Sequence, residues 1–184
     1  MKYLVGEQEV AARAARVRLL LLDVDGVLTD GTLFIHHDGR ESKMFHAHDG
    51  LAIRLLQEGG IEVGILSGRR SEVVASRAEE LGIRLVAQGT LYKTAAYEEM
   101  LQRCGLLEAE VAYVGDDLVD VPVLKRVGLA VAVANAAPEV ISCCHLLTSR
   151  PGGRGAVRQV AELLLRAQDL WQRVTAPFLG QSPG

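Results

Sequence analysis

Short apolar runs alternate with amphipathic stretches along most of this chain, and that alternation limits its folding more than any other feature. Residues 18–23, 61–66, 84–87, 111–114 and 129–133 have the length and composition of buried strands, with a shorter one at 145–147. Helical spacing fills the gaps at 50–58, 71–81, 93–104, 118–127 and 155–170. Gly82 and Gly105 stand where C-terminal caps are expected. Strand–helix alternation of this kind predicts an α/β fold, a doubly wound parallel sheet with helices on both faces. A chain of 184 residues can build one such domain with a sizeable core, not two. The domain is expected to span 1–176, followed by a flexible tail, 177–184, rich in Gly, Pro and Ser.

One segment breaks the pattern. Residues 32–36 and 41–46 flank His37-Asp38-Gly39-Arg40, and Asp-Gly is a hairpin signal. An isolated hairpin is marginal in water, yet this one carries Leu33, Phe34, Ile35, Met44 and Phe45. Packing against other copies of the chain would bury them, so a homo-oligomer is expected; the alternative is a flap folded onto its own domain.

Composition excludes several classes. A 49 % apolar content rules out disorder, and 4 % aromatics imply a core of Leu, Val, Ile and Ala. A net charge of −3 provides no footprint for nucleic acid. Cys104, Cys143 and Cys144 form neither a disulfide framework nor a metal-ligand spacing. Charged residues near the N-terminus and the lack of a long apolar run predict a soluble, cytoplasmic protein with no membrane partner.

The chemistry gathers at strand ends. Asp23-Val24-Asp25-Gly26 follows the first apolar run, so its carboxylates face an open crevice of the type where α/β sheets bind ligands. Side chains two apart on a strand point the same way. Like charges about 4 Å apart repel by roughly 4 kcal/mol at an effective dielectric near 20, which calls for a cation or a reaction. Ser67-Gly68-Arg69 ends the second run, where a hydroxyl and turn N–H groups can hold an anion. Lys93 opens a helix and supplies a movable ammonium. Gly115-Asp116-Asp117-x-x-Asp120 ends a further strand. Singly, each has an ordinary explanation as turn, solvated side chain or helix cap. Together they describe phosphoryl transfer. A carboxylate attacks phosphorus to form an acyl phosphate, and a hard divalent cation, Mg²⁺ by its oxygen ligands, cancels charge. Lys93 and Ser67 bind the phosphoryl oxygens, leaving Asp25 to move the proton.

These four motifs, in this order and spacing, resemble those of the haloacid dehalogenase superfamily of phosphatases. The resemblance implies a Rossmann-like sheet. It also makes Asp23 the nucleophile, Asp25 the general acid and base, and Ser67 with Gly68 and Lys93 the phosphate binders. Asp116 would ligate Mg²⁺ beside Asp23 and the Asp25 backbone carbonyl, with Asp117 and Asp120 supporting metal waters or Lys93. Leu28-Thr29-Asp30-Gly31, Lys43-x-Phe45-x-x-x-Asp49-Gly50 and Gly152-Gly153-Arg154-Gly155-Ala156-Val157-Arg158 further resemble the capless subfamily. Its members are 3-deoxy-D-manno-octulosonate 8-phosphate (KDO 8-phosphate) phosphatases and relatives acting on nine-carbon sugar acid phosphates. That subfamily implies a homotetramer joined through its hairpins, with no cap domain and a neighbouring subunit closing each site. The substrate's carboxylate needs a second cation, for which Arg69 is the first candidate, then Arg154 or Arg158.

His48, Asn135 and Gln159 depart from residues common in the subfamily. His36, His37, His46 and His48 lie on the hairpin and its exit, a poor setting for zinc. A nine-carbon sialic-type acid 9-phosphate is the competing substrate. A phospho-accepting receiver domain and a silent scaffold are the competing classes; the order of acids and Lys93 argues against the first, and the intact acid set against the second.

Overall fold

Four consecutive leucines tolerate water on neither side, and Leu19–Leu22 accordingly forms an inner strand of the sheet. The structure, a computed structural model, describes residues 1–180. Its strands are β1 (Lys2–Tyr3), β2 (Leu19–Leu22), β3 (Phe34–Ile35), β4 (Glu41–Ser42), β5 (Glu62–Leu66), β6 (Leu85–Ala87), β7 (Val111–Gly115), β8 (Leu129–Ala132) and β9 (Leu146–Leu147). Its α-helices are α1 (Glu7–Ala14), α2 (Ala47–Glu58), α3 (Glu72–Glu80), α4 (Lys93–Cys104), α5 (Val121–Leu124), α6 (Pro138–Ile141), α7 (Ala156–Ala167) and α8 (Trp171–Thr175).

Seven strands form the main sheet in the order β1-β9-β8-β7-β2-β5-β6. All neighbours pair parallel except β1, which lies antiparallel on β9. Helices α1, α2 and α7 pack together on one face, and α4, α5 and α6 on the other. This is the doubly wound parallel sheet expected from the alternating pattern. Between β2 and β5 stand only the turn Val24–Leu28, a two-stranded hairpin and α2, so no cap domain covers the crevice.

Register sets the site. Leu22 pairs with both Ile65 of β5 and Val114 of β7. One residue further on, Asp23 comes level with Leu66 and Gly115, and Ser67 and Asp116 follow. Three motifs distant in sequence therefore meet at adjacent strand ends.

Several elements differ from expectation for local reasons. The expected helix over 118–127 is a 3₁₀ turn, Leu118–Asp120, followed by the single turn α5. Pro122 at its start provides no N–H, and the Asp120 carboxylate draws the preceding backbone inward. The expected helix over 155–170 stops at Ala167, where Asp169 takes a left-handed φ of 57°, and α8 begins afresh. Helix α1 buries only Val10 and Ala14, and β1 is two exposed residues, too weak a pattern to read beforehand.

The hairpin is short, with Phe34 paired to Ser42 and Ile35 to Glu41. Its two halves behave differently. Leu33, Phe34, Ile35 and Met44 remain exposed, whereas Phe45 packs against the core beneath the Arg77 guanidinium, 5.6 Å away. At the C-terminal end Ala176–Leu179 forms a 3₁₀ turn. The rest of the expected flexible tail, 181–184, lies outside the described residues. Among those described, no helix is long and apolar enough to cross a membrane.

Candidate active site

Asp23 leaves β2 in extended conformation and is 6 % exposed, its N–H donating to the Val114 carbonyl at 3.1 Å. The chain then turns sharply through Val24–Leu28, with Gly26 at φ 94°. Only glycine suits that position: a Cβ there would stand 2.0 Å from Oδ2 of Asp116. That close approach presses Asp116 against the turn carrying Asp23 and Asp25. Asp23, Asp116 and Asp120 each offer an oxygen within 4.8 Å of the others, so the acids converge as the strand order implied.

Lys93 heads α4 and is 1 % exposed. Its ammonium donates to Asp120 Oδ1 at 2.6 Å and to the Tyr113 hydroxyl at 2.9 Å, and lies 2.8 Å from Asp23 Oδ1. All three of its hydrogens have an oxygen partner. The expected movable ammonium is thus a buried, pinned one. Burial works against its charge, but the carboxylates of Asp23 and Asp120 outweigh it and raise its pKa.

Asp120 is saturated. Besides Lys93, its Oδ1 accepts from the Tyr113 hydroxyl at 2.6 Å, and its Oδ2 accepts from the N–H groups of Asp116 and Asp117 at 2.9 and 3.2 Å. It supports Lys93 and the Asp116 loop and has no oxygen left to give away. Asp116 is the opposite case, with a buried Oδ1 that has no hydrogen-bond partner. An oxygen-only donor set with an orphaned buried carboxylate oxygen fits a hard divalent cation held by Asp116 and Asp23. Burial, followed by the fields of Asp23, Asp120 and Asp117, pushes the Asp116 carboxyl up to about 8. Burial likewise raises Asp23 to about 6, against the pull of Lys93.

The other expected residues fall into place unevenly. Ser67 is buried just beyond β5, its Oγ accepting from the Arg69 N–H at 3.3 Å; Gly68 follows it beside Leu91. The Arg69 guanidinium spans Asp25, at 3.5 Å, and Glu41, at 3.0 Å. Asp117 is exposed and caps the following turn through the Leu118 N–H. Arg154 reaches Asp30 at 3.3 Å, and Arg158 pairs with Glu162. Asn135 accepts from the Gly152 N–H, and Gln159 from those of Ser149 and Arg150, bonds that Asp and Glu could equally accept. His46 and His48 stack edge to face, and neither belongs to a metal-binding group among the described residues.

Three contributors were not singled out as site residues from the sequence. Lys43, at the hairpin exit, pairs with the Asp25 carboxylate although its own side chain is almost fully covered. Glu41 ties Arg69 to the hairpin. Tyr113 lies two residues before the Gly-Asp-Asp motif, on the strand face turned toward Lys93. The hairpin therefore reaches the acid pair within one chain. An open groove of about 600 Å³ runs alongside, lined by Ile35, Arg40, Glu41, Arg69, Arg70 and others.

The chain is similar to known proteins in both sequence and fold. A family model described as haloacid dehalogenase-like hydrolase matches residues 45–128. The chain is 46 % identical to 3-deoxy-D-manno-octulosonate 8-phosphate phosphatase from Yersinia pestis over 167 residues, 91 % of this chain and 89 % of that one. A crystal structure of the Moraxella catarrhalis phosphatase of that name, in complex with magnesium, phosphate and KDO, superposes with a TM-score of 0.92 at 35 % identity. It covers 94 % of this chain and 99 % of that one. The cobalt-bound Haemophilus influenzae phosphatase superposes with a TM-score of 0.83 at 38 % identity, over 85 % of this chain and 92 % of that one.

Proposed function

Since the chain belongs to the haloacid dehalogenase-like hydrolases and is a phosphoric monoester hydrolase of the KDO 8-phosphate phosphatase family, we propose that it hydrolyses KDO 8-phosphate to KDO and phosphate with Mg²⁺. One observation carries the reading: a pinned ammonium lies against Asp23 on one side, and an orphaned carboxylate oxygen of Asp116 on the other. Asp23, Asp116 and the Asp25 carbonyl would hold the ion. When bound, it supplies positive charge that neutralises the carboxylates and the phosphoryl group.

The chain's own residues divide the remaining work. A carboxylate oxygen of Asp23 attacks phosphorus, and the bond to the sugar oxygen breaks as the Asp23–phosphorus bond forms. Asp25, carrying the proton taken from the attacking water of the preceding turnover, gives it to the departing oxygen. It then takes one from the water that attacks phosphorus, and Asp23 is released. Lys93 and the Ser67–Gly68 turn hold the phosphoryl oxygens where negative charge accumulates. Arg69, at the edge of the open groove, binds the sugar carboxylate by exchanging Asp25 or Glu41 for it. We extend the reading to a cytoplasmic homotetramer that serves lipopolysaccharide precursor synthesis.

The test is phosphate release from KDO 8-phosphate and from a sialic-type acid 9-phosphate, compared as kcat/KM with Mg²⁺ present. The eight-carbon substrate should be preferred, and Asp23→Asn should lose at least about 10³-fold in kcat. Wild-type turnover by Asp23→Asn would remove the aspartyl-phosphate route, and preference for the nine-carbon substrate would reassign the enzyme.

A further inference from the structure

Asp49 is a buried carboxylate that the chemistry above does not use. It lies in the first turn of α2, 1 % exposed, and burial raises its pKa against two N–H donors. Those donors belong to the start of α7: Gly155 N–H reaches Oδ2 at 3.2 Å and Arg158 N–H reaches Oδ1 at 2.7 Å. Gly155 has no side chain to cap its own helix, so the cap comes from a residue 106 positions earlier.

The segment leading into that cap touches the catalytic turn. Gly153 donates its N–H to the Val27 carbonyl at 2.9 Å. A Cβ on Gly152 would lie 1.7 Å from the Gly26 carbonyl oxygen, and one on Gly153 would lie 2.4 Å from the Asp30 nitrogen. Asp116 crowds the same glycine from another direction. The Gly26 turn is therefore gripped between Asp116 and the 152–155 strap. The strap is fastened at one end by Asn135, which accepts from Gly152 N–H at 2.9 Å, and at the other by Asp49.

We propose that Asp49 is a positioning residue for catalysis, anchoring the 152–155 strap that holds the Gly26 turn, and with it Asp23 and Asp25, in the geometry for in-line attack. The inference rests on the proposed phosphatase reading. The route is mechanical: carboxylate to α7 N-terminus, strap to Gly26 backbone, turn to the two acids. Because the strap's contacts run to the backbone of the Gly26 turn, and Arg154 on it is paired with Asp30, its loosening should lower kcat and leave KM nearly unchanged.

Three variants and two readouts test this. Asp49→Asn keeps one acceptor oxygen but puts an amide N–H₂ group against the second N–H. Asn135→Ala, at an exposed position, releases the other end of the strap. Val10→Ala thins the core on α1, which packs on α7 but makes none of the strap's hydrogen bonds, and controls for lost packing alone. At a temperature where all are folded, Asp49→Asn and Asn135→Ala should lose roughly tenfold to 10²-fold in kcat on KDO 8-phosphate, with KM within about threefold. Val10→Ala should keep wild-type kcat. Hydrogen exchange, read without substrate, should show faster exchange of the Gly153 amide in the first two variants and not in the control. Wild-type kcat in folded Asp49→Asn overturns the inference, as does a kcat loss with Gly153 still protected. Should Asp49→Asn not fold, Asn135→Ala decides by the same criteria. If wild type itself releases no phosphate, the phosphatase reading has failed, and unchanged Gly153 exchange would separately refute the strap.

Discussion

A lysine ammonium is among the costliest groups to bury, and Lys93 is tolerated because carboxylates on two sides and a phenol on the third receive its hydrogens. Removing it leaves Asp23 and Asp120 as neighbouring buried acids. Lys93→Ala should therefore lower stability by about 3–5 kcal/mol in urea unfolding, along with the loss of phosphatase activity. The acids also set the pH response. Asp23 and Asp116, raised to about 6 and about 8, hold protons in the folded chain at pH values where the unfolded chain has lost them. Between the ordinary 3.8 and about 8 the native state binds more protons, so these groups make stability fall as pH rises through that window. With a chelator present, Tm should drop from pH 6 to pH 8, and millimolar Mg²⁺ should raise Tm and flatten the slope. A metal-independent Tm would remove Asp116 as a ligand.

At the scale of elements, the turn after β2 owes its shape to one glycine. Gly26→Ala meets both a left-handed backbone, costing about 1–2 kcal/mol, and the Asp116 carboxylate 2.0 Å away. The variant should melt earlier and bind Mg²⁺ more weakly, as calorimetric titration would show; unchanged affinity would mean that the turn and Asp116 do not constrain each other. The hairpin contributes in the same local way. Lys43 and Glu41 bring its second strand to Asp25 and Arg69, so an element that sequence pattern treats as an appendage supplies two charges to the site.

For the whole molecule, the hairpin keeps an apolar outer surface on a single chain. Phe34, Ile35 and Met44 are 60, 62 and 69 % exposed, together with Leu33, on an element too short to be stable alone. We expect copies of the chain to cover them. Sedimentation should give an oligomer for wild type and a smaller species for Phe34→Ser/Ile35→Lys, with reduced activity if neighbours help to close the crevice. A monomeric wild type at micromolar concentration would return the hairpin to the role of a simple flap.

Residue order alone determined the α/β layering and the four polar stations, because buried parallel strands leave continuous apolar runs and their ends leave charges. The same logic nominated Asp23, Ser67, Lys93 and Asp116 as one candidate site. It could not tell that Lys93 is pinned, that Asp120 is saturated or that Asp117 turns outward, since each depends on which oxygen a side chain meets across the fold. Nor could it assign a contact to Tyr113, or to Lys43 and Asp49, which stood only as letters of a motif; their partners lie 20, 18 and 106 positions away. Periodicity records which face a residue takes. Only packing decides what waits there.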